Sequence, residues 1–274
     1  MNAFLTIAGK EIRDGLRNKW VAGATLLLAG LAFALTFLGS TPTGALGVKP
    51  LAVAVVSLSS LSIFLIPLIA LLLGYDAIVG EVERGCMLLL LTYPVTRGQI
   101  LGGKFCGHVA ILSFATIVGY GAAGVATVIG GGGDAESLGA FAGLIASSAL
   151  LGAAFLALAY LVSVSVKERG TAAGIAVGLW LLFVIVYDMA LMGGLVASKG
   201  RLGADVFPYL LLLNPADLYR LFNLTSFENV RTFSGMAGLS AAVHFSPAAL
   251  LSALLAWIAL PLGAAAVRFA RRDG

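Results

Sequence analysis

Charge is what this sequence has least of. Lys, Arg, Asp and Glu make up 11% of its 274 residues, against 60% hydrophobic ones. Soluble domains run nearer about 25% charged and roughly 45–50% apolar. The apolar excess is too large for one water-borne core, so lipid is the expected solvent. Cysteine is scarce too: Cys86 and Cys106 have no CxxC spacing, which excludes a redox motif or a zinc site of that kind. Neither His108 nor His244 has a ligand partner at metal spacing, so no metal and no cofactor is expected on this chain. No Ser/His/Asp set and no carboxylate pair suggests catalysis. The net charge of +4 raises the question of nucleic acid. No aromatic-and-basic groove supports it, and Lys and Arg instead mark the cytoplasmic ends of membrane helices.

What is present is a succession of long apolar runs. A membrane helix needs ~20 mostly apolar residues. Spans are predicted over about 20–38, 51–74, 105–129, 138–166, 171–197 and 248–267. Pro67 lies inside the second, where a proline removes a backbone donor and can kink the helix. Glycines at 130–133, with Asp134 and Glu136, predict a short exposed turn. Small residues four apart, Gly139 with Gly143 and Gly174 with Gly178, suit a tight bundle. The chain reads as one transmembrane domain, 1–274, all-α and polytopic.

The N-terminus does not read as a cleavable signal, because Lys10, Glu11, Arg13, Asp14, Arg17 and Lys19 precede the first apolar run. Phe4, Leu5, Ala8, Ile12 and Leu16 recur at helical spacing over 2–19. That pattern suits an amphipathic helix lying on the inner membrane surface; a solvated helical tail is the other reading. With the N-terminus inside, twelve of the basic residues fall on inner segments and five on outer ones. Both termini are then cytoplasmic, segment 75–104 is an inner connector, and segment 198–247 lies outside.

The connector concentrates the charge that the spans lack: Asp76, Glu81, Glu83, Arg84, Arg97 and Lys104. Gly80 and Gly85 bracket a charged turn. It reads either as a rigid handle gripped by a soluble partner or as an ordinary solvated loop. Residues 98–105 match a phosphate loop except at the last position, where Phe105 replaces the magnesium-binding Ser or Thr. The match is set aside, and ATP is not expected to bind here.

On the outer side Asn214, Pro215 and Asp217 form a helix-start signature, with Leu218, Leu221 and Phe222 on one face. A short helix partly dipping into the outer membrane surface is expected. Asp188 is the one acid deep in a span, and it reads either as a lining residue of a translocation path or as a structural hydrogen-bond partner. Met189 and Met192 read as lipid- or core-facing thioethers, with a soft-metal path as the alternative.

The second span, Tyr75 to Glu81, Arg84-Gly85, Leu88 to Leu91, Pro94, Arg97 and Gly103-Lys104 together resemble the ABC-2 family of ABC transporter permeases. Lys10-Glu11, Asp14 to Asn18, Gly107-His108 and Leu211 to Asp217 extend the likeness over nearly the whole chain. Within the family it resembles most the permeases that serve maturation of nitrous oxide reductase. The resemblance implies six spans, an amphipathic entry helix and outer re-entrant helices. It also implies a homodimer in a bacterial inner membrane, coupled to a cytoplasmic ABC ATPase that holds the ATP and magnesium.

The coupling segment would comprise Asp76, Glu81, Val82, Glu83, Arg84 and Gly85. The turn at Lys167, Glu168 and Arg169 would be a second contact. A periplasmic β-helical protein would meet Asn214, Pro215, Asp217, Tyr219 and Arg220. The implied role is assembly of the reductase's copper–sulfur centre. Cys86 and Met87 depart from the small or β-branched residues usual after the glycine. Two competing readings are a general ABC-2 exporter of lipid, drug or glycan, and an ion-coupled transporter using Asp188.

Overall fold

The computed structural model describes residues 3–39, 50–129, 135–198, 206–225 and 245–271. Residues 40–49, the expected glycine turn at 130–134, His244, and most of the expected outer segment 198–247 lie outside the described residues. The described elements are all helical: α1 (Ala3–Leu16), α2 (Lys19–Gly39), α3 (Pro50–Gly74), α4 (Val79–Glu83), α5 (Cys86–Leu91), α6 (Arg97–Ile129) and α7 (Ala135–Ser165). They continue with α8 (Arg169–Leu181), a π-helical turn (Leu182–Val186), α9 (Tyr187–Ala197), α10 (Phe207–Leu211), α11 (Pro215–Thr225) and α12 (Pro247–Ala270). Six of these stretches are long and apolar enough to cross a membrane: α2, α3, α6, α7, the α8–α9 rod and α12.

The bundle is built around α7, in which residues 151–160 are all buried. Helices α3 and α12 pack most extensively on it, while α6 carries α1 and α2. Small residues let the axes approach, the main source of helix association in lipid. A Cβ at Gly74 would fall 2.8 Å from that of Ala159, and one at Gly119 would fall 3.1 Å from Leu28 Cβ. The glycines at 139, 174 and 178 lie away from these contacts: a Cβ at any of them would meet nothing within 4 Å. α3 runs through Pro67 as one helix, and close by Phe64 O accepts a hydrogen bond from Trp180 Nε1.

The third span begins eight residues earlier than hydropathy predicts. Thr96 and Gln99 form a reciprocal capping box: Thr96 N donates to Gln99 Oε1 and Gln99 N donates to Thr96 Oγ1. Residues 97–104 are therefore the first two turns of α6 and no part of a loop, so the connector is shorter than expected. Arg97 Nη1 donates to Phe269 O at 2.8 Å, which ties that helix start to the end of α12.

α1 lies against α6 along a different stripe from the one that its periodicity suggests. Ala8, Glu11 and Gly15 are its buried residues, while Leu5 and Leu16 are exposed. Gly103 and Gly107 of α6 make room for it, since a Cβ at Gly107 would fall 2.6 Å from Glu11 Cβ. The outward leucines leave α1 a second apolar face for the membrane surface.

Candidate coupling site

The short helix α4 is fixed from behind and below. Ser163 Oγ of α7 accepts from Ile78 N and Val79 N, both at 3.0 Å, and so satisfies donors at the start of α4 that the helix leaves free. A Cβ at Gly80 would occupy the space of the Asp76 carboxylate, which therefore lies over the helix. Gly85 has φ +72°, the left-handed conformation that favours glycine, and turns the chain from α4 into α5.

Glu81 does not point outward with its neighbours. Its Oε1 lies 2.7 Å from Lys104 Nζ, and Lys104 Nζ is also 2.7 Å from Glu11 Oε1. Lys104 is 4% exposed, so one ammonium bridges two carboxylates away from water. His108, one turn further along α6, places Nε2 3.5 Å from Glu11 Oε2 and pairs Nδ1 with Tyr160 Oη at 2.8 Å. Burial alone would raise the Glu11 carboxyl. The His108 hydrogen bond and the Lys104 charge outweigh it and hold the group well below the usual carboxylate range. The cluster joins the entry helix, α4, α6 and α7 through close ion pairs and a hydrogen bond. The charge of the sequence's near-match to a phosphate loop, Lys104, is thus spent on two carboxylates of its own chain.

The other connector charges form a second, more open group. Asp76 Oδ1 lies 2.7 Å from Arg169 Nε, and Asp76 Oδ2 lies 3.7 Å from Arg84 Nη1. Arg169 N donates to Glu83 Oε1 at 2.6 Å. The α7–α8 turn and the α4 turn, expected as two separate contacts, are therefore one continuous surface. Val82 is half-buried, whereas Glu83, Arg84, Gly85, Lys167 and Glu168 are exposed. Beside them Leu88, Leu89 and Tyr93 are between 62% and 68% exposed, an apolar patch on a charged platform.

At the opposite end of the bundle α11 is set into the protein, not onto its surface. Asn214, Pro215, Asp217 and Tyr219, expected to meet a partner, are all buried, and Arg220 is half-buried. Asn214 Oδ1 accepts from Ala216 N and caps the helix, while its Nδ2 donates to Phe183 O in the π-helical turn. Tyr219 Oη meets Ser148 Oγ at 2.9 Å. Ser62 Oγ lies 3.5 Å from the same Ser148 and 2.7 Å from Tyr120 Oη. This polar chain across α3, α6, α7 and α11 went unread in the sequence, where only isolated serines in apolar runs signal it.

Asp188 has a partner. Arg220 Nη2 donates to Asp188 Oδ2 at 3.0 Å, and Arg220 Nη1 donates to Asp217 Oδ1 at 2.8 Å. Burial pushes the Asp217 carboxyl up to about 7, and Asp188 adds to the rise while Arg220 and Asn214 oppose it. Met189 and Met192 are exposed on the rod, and no group of three or more His, Cys, Asp or Glu suited to a metal occurs among the described residues.

The model of the ABC-2 family transporter proteins matches residues 5–274. A protein of Stutzerimonas stutzeri named probable ABC transporter permease protein NosY is 47% identical over 274 residues, covering 99% of each chain. A Pseudomonas aeruginosa protein of the same name is 48% identical over 269 residues, covering 97% of this chain and 98% of the relative.

Proposed function

This chain belongs to the ABC-2 transporter family and is a multi-pass permease subunit; from that premise we propose that it transmits ATP hydrolysis on a NosF-type ATPase across the bacterial inner membrane. The recipient is a NosD-type periplasmic protein, and the outcome is assembly of the copper–sulfur centre of nitrous oxide reductase. The near full-length likeness to two relatives named NosY supports this branch of the family.

The observation that carries the coupling reading is the Lys104 bridge. A push on the exposed platform of Glu83, Arg84, Leu88 and Leu89 reaches α4, and Glu81 passes it through Lys104 to α6 and α1. Apolar contact supplies most of the hold on the ATPase, and the surrounding charges set its orientation. Both termini and the platform are cytoplasmic in this reading, in keeping with the distribution of Lys and Arg.

We read the working unit as a homodimer. The rod α8–α9 is the least enclosed span, only 11% buried. Its Asp188–Arg220 pair is about a third exposed on both sides. An ionised pair bare to hydrocarbon is costly, and a second copy or a water-filled passage along the dimer axis would cover it. Asp188 held by Arg220 speaks against an ion-coupled transporter that needs a free carboxylate.

The test is affinity purification of the tagged chain from its native membrane. Recovery with an ABC ATPase and a periplasmic repeat protein supports the reading. Transport by this chain alone in liposomes, without any ATPase, would refute it.

A further inference from the structure

The rod α8–α9 is anchored along its first part. Its buried residues are Ala172, Ala176 and Val184, and none of α9 is buried. Phe183 packs edge-on against Phe155 of α7 and Trp257 of α12, with ring centroids 5.9 and 5.5 Å apart. Asn214 Nδ2 holds the Phe183 carbonyl. The anchorage therefore ends inside the π-helical turn. Sharp bends in helices gather at such turns, which recur at functional sites.

Beyond the turn, polar ties join the first two residues of α9 to α10 and α11. Tyr187 Oη donates to Leu210 O at 2.6 Å, and Arg220 Nη2 donates to Asp188 Oδ2 at 3.0 Å. Further along, an apolar cavity of about 320 Å³ opens between Ala190, Leu191 and Gly194 of α9 and Phe207, Leu210 and Leu213. Close-packed interiors leave few voids larger than a water molecule, so this junction is loose. α11 itself is firmly seated. Leu218, Leu221 and Phe222 pack with Leu250 and Leu254 of α12, and Asn223 Nδ2 donates to Ser147 Oγ of α7. A weakly held arm thus rests on a fixed seat.

The tie at Asp188 depends on a second carboxyl. Arg220 Nη1 donates to Asp217 Oδ1 at 2.8 Å, and Asp217 Oδ2 accepts from Asn214 Nδ2 at 2.9 Å. Two acids share one guanidinium. The groups that face Asp217 are Arg220 and Asn214 of its own segment and Asp188 and Tyr187 of the rod. With a proton on Asp217, Arg220 and Asp188 balance in charge. Without it the cluster is net negative, and its two carboxylates repel. Asp217 is 2% exposed and holds Arg220 from three residues away on the same helix. The Asp188 side chain is 34% exposed and rides on the weakly held arm, so Asp188 is the one that yields.

We propose that Asp188, Arg220 and Asp217 form a proton-operated latch at the α10–α11 end of the fifth span. With the proton bound, Asp188 is fastened to Arg220 and α9 is held against α10 and α11. When the proton leaves, Asp217 keeps Arg220, Asp188 is released, and α9 swings about the π-helical turn and widens the cavity beside α10. Burial, which pushes the Asp217 carboxyl up to about 7, puts the switch near neutrality, closed on the acid side and open on the basic side. The inference rests on the packing of this end of the bundle and not on which ATPase or periplasmic protein the chain serves.

The experiment is double electron–electron resonance on the full-length chain with its ATPase subunit in nanodiscs. Cys86 and Cys106 are changed to Ser, and spin labels are placed at the exposed positions Val196→Cys and Leu213→Cys. Labelled chain is diluted with unlabelled chain, so that distances within one chain are read. Measurements at pH about 5.5 and about 8.5 bracket the titration. The expected result is one narrow distance at the lower pH and a second, longer component that dominates at the higher. Asp217→Asn keeps the narrow distance at both, and Asp188→Ala shows the longer component at both. A control pair on α2 and α12, Leu26→Cys with Leu260→Cys, stays unchanged. An identical distance at both pH values in the parent, a full pH response in Asp217→Asn, or the narrow distance alone in Asp188→Ala overturns the proposal. So does a matching change in the control pair, because the whole bundle would then be loosening. Loss of the ATPase from the preparation would count against the coupling reading alone, since the distances are read within the permease.

Discussion

The Lys104 ammonium lies 2.7 Å from the Glu81 carboxylate, and neither side chain is more than 12% exposed. An ion pair so enclosed is a poor source of net stability but is costly to break from one side. Lys104→Met leaves Glu11 and Glu81 buried without their cation and should cost about 3–5 kcal/mol. Glu81→Gln should also destabilise, and the double variant should recover part of the loss. A double-mutant cycle on thermal unfolding in detergent checks this; additive single effects would mean that the two groups act independently.

The seat of α1 on α6 depends on two missing side chains. A Cβ at Gly103 would fall 2.9 Å from Phe4 O, and at Gly107 it would meet Glu11 and Ala8. Gly107→Val should lift α1 and cost about 1–3 kcal/mol through overpacking. A thiol placed at Ala8, in a chain with Cys86 and Cys106 changed to Ser, should then label with maleimide far faster than in the parent. Unchanged labelling would show that α1 holds its place without close approach to Gly107.

The exposed platform and the buried cluster separate under mutation. Leu88→Asp, Leu89→Asp or Glu83→Lys should lower ATPase co-purification about tenfold, equivalent to roughly 1.4 kcal/mol, with melting temperature unchanged. Charge reversal at Glu81 should lower both, because the reversed group would face Lys104. Wild-type recovery of the ATPase with all three surface variants would move the docking surface elsewhere.

Asp217 gives the opposite end a pH dependence. Its carboxyl is raised from an ordinary 3.8 to about 7. A raised folded-state value means that the proton is held more tightly in the fold. The stabilisation is therefore full below about 3.8 and is lost as pH rises through about 7. Melting temperature should fall across that window, and Asp217→Asn should flatten the fall. Asp188→Asn removes a neighbouring negative charge and should shift the midpoint downward. A wild-type profile in Asp217→Asn would show that another group titrates.

Much of the fold was legible from hydropathy alone, because lipid forces every spanning backbone into long helices and leaves six unmistakable runs. The connector was legible as the place where charge collects. Which way each charge faces was not. Glu81 and Glu83 are two residues apart, and a helix sends residues two apart to different faces, so one is buried on Lys104 and the other reaches Arg169. The capping box at Thr96 and Gln99 was readable, but the charges of 97–104 made helix look like loop. The burial of α11 was hidden for a different reason. Its polar residues are satisfied by Ser147, Ser148, Phe183 O and Asp188, all distant in sequence.

The π-helical turn at Leu182–Val186 acts as a phase slip in the fifth span. Each residue of an α-helix turns the chain by about 100°, and a π-turn behaves as one residue inserted into that count. Removing one residue from the turn would swing everything beyond it by roughly that angle. Asp188 would rotate away from the guanidinium that neutralises it, while Asn214 would lose the carbonyl it holds. The wide turn therefore sets the compass bearing of the last third of the rod.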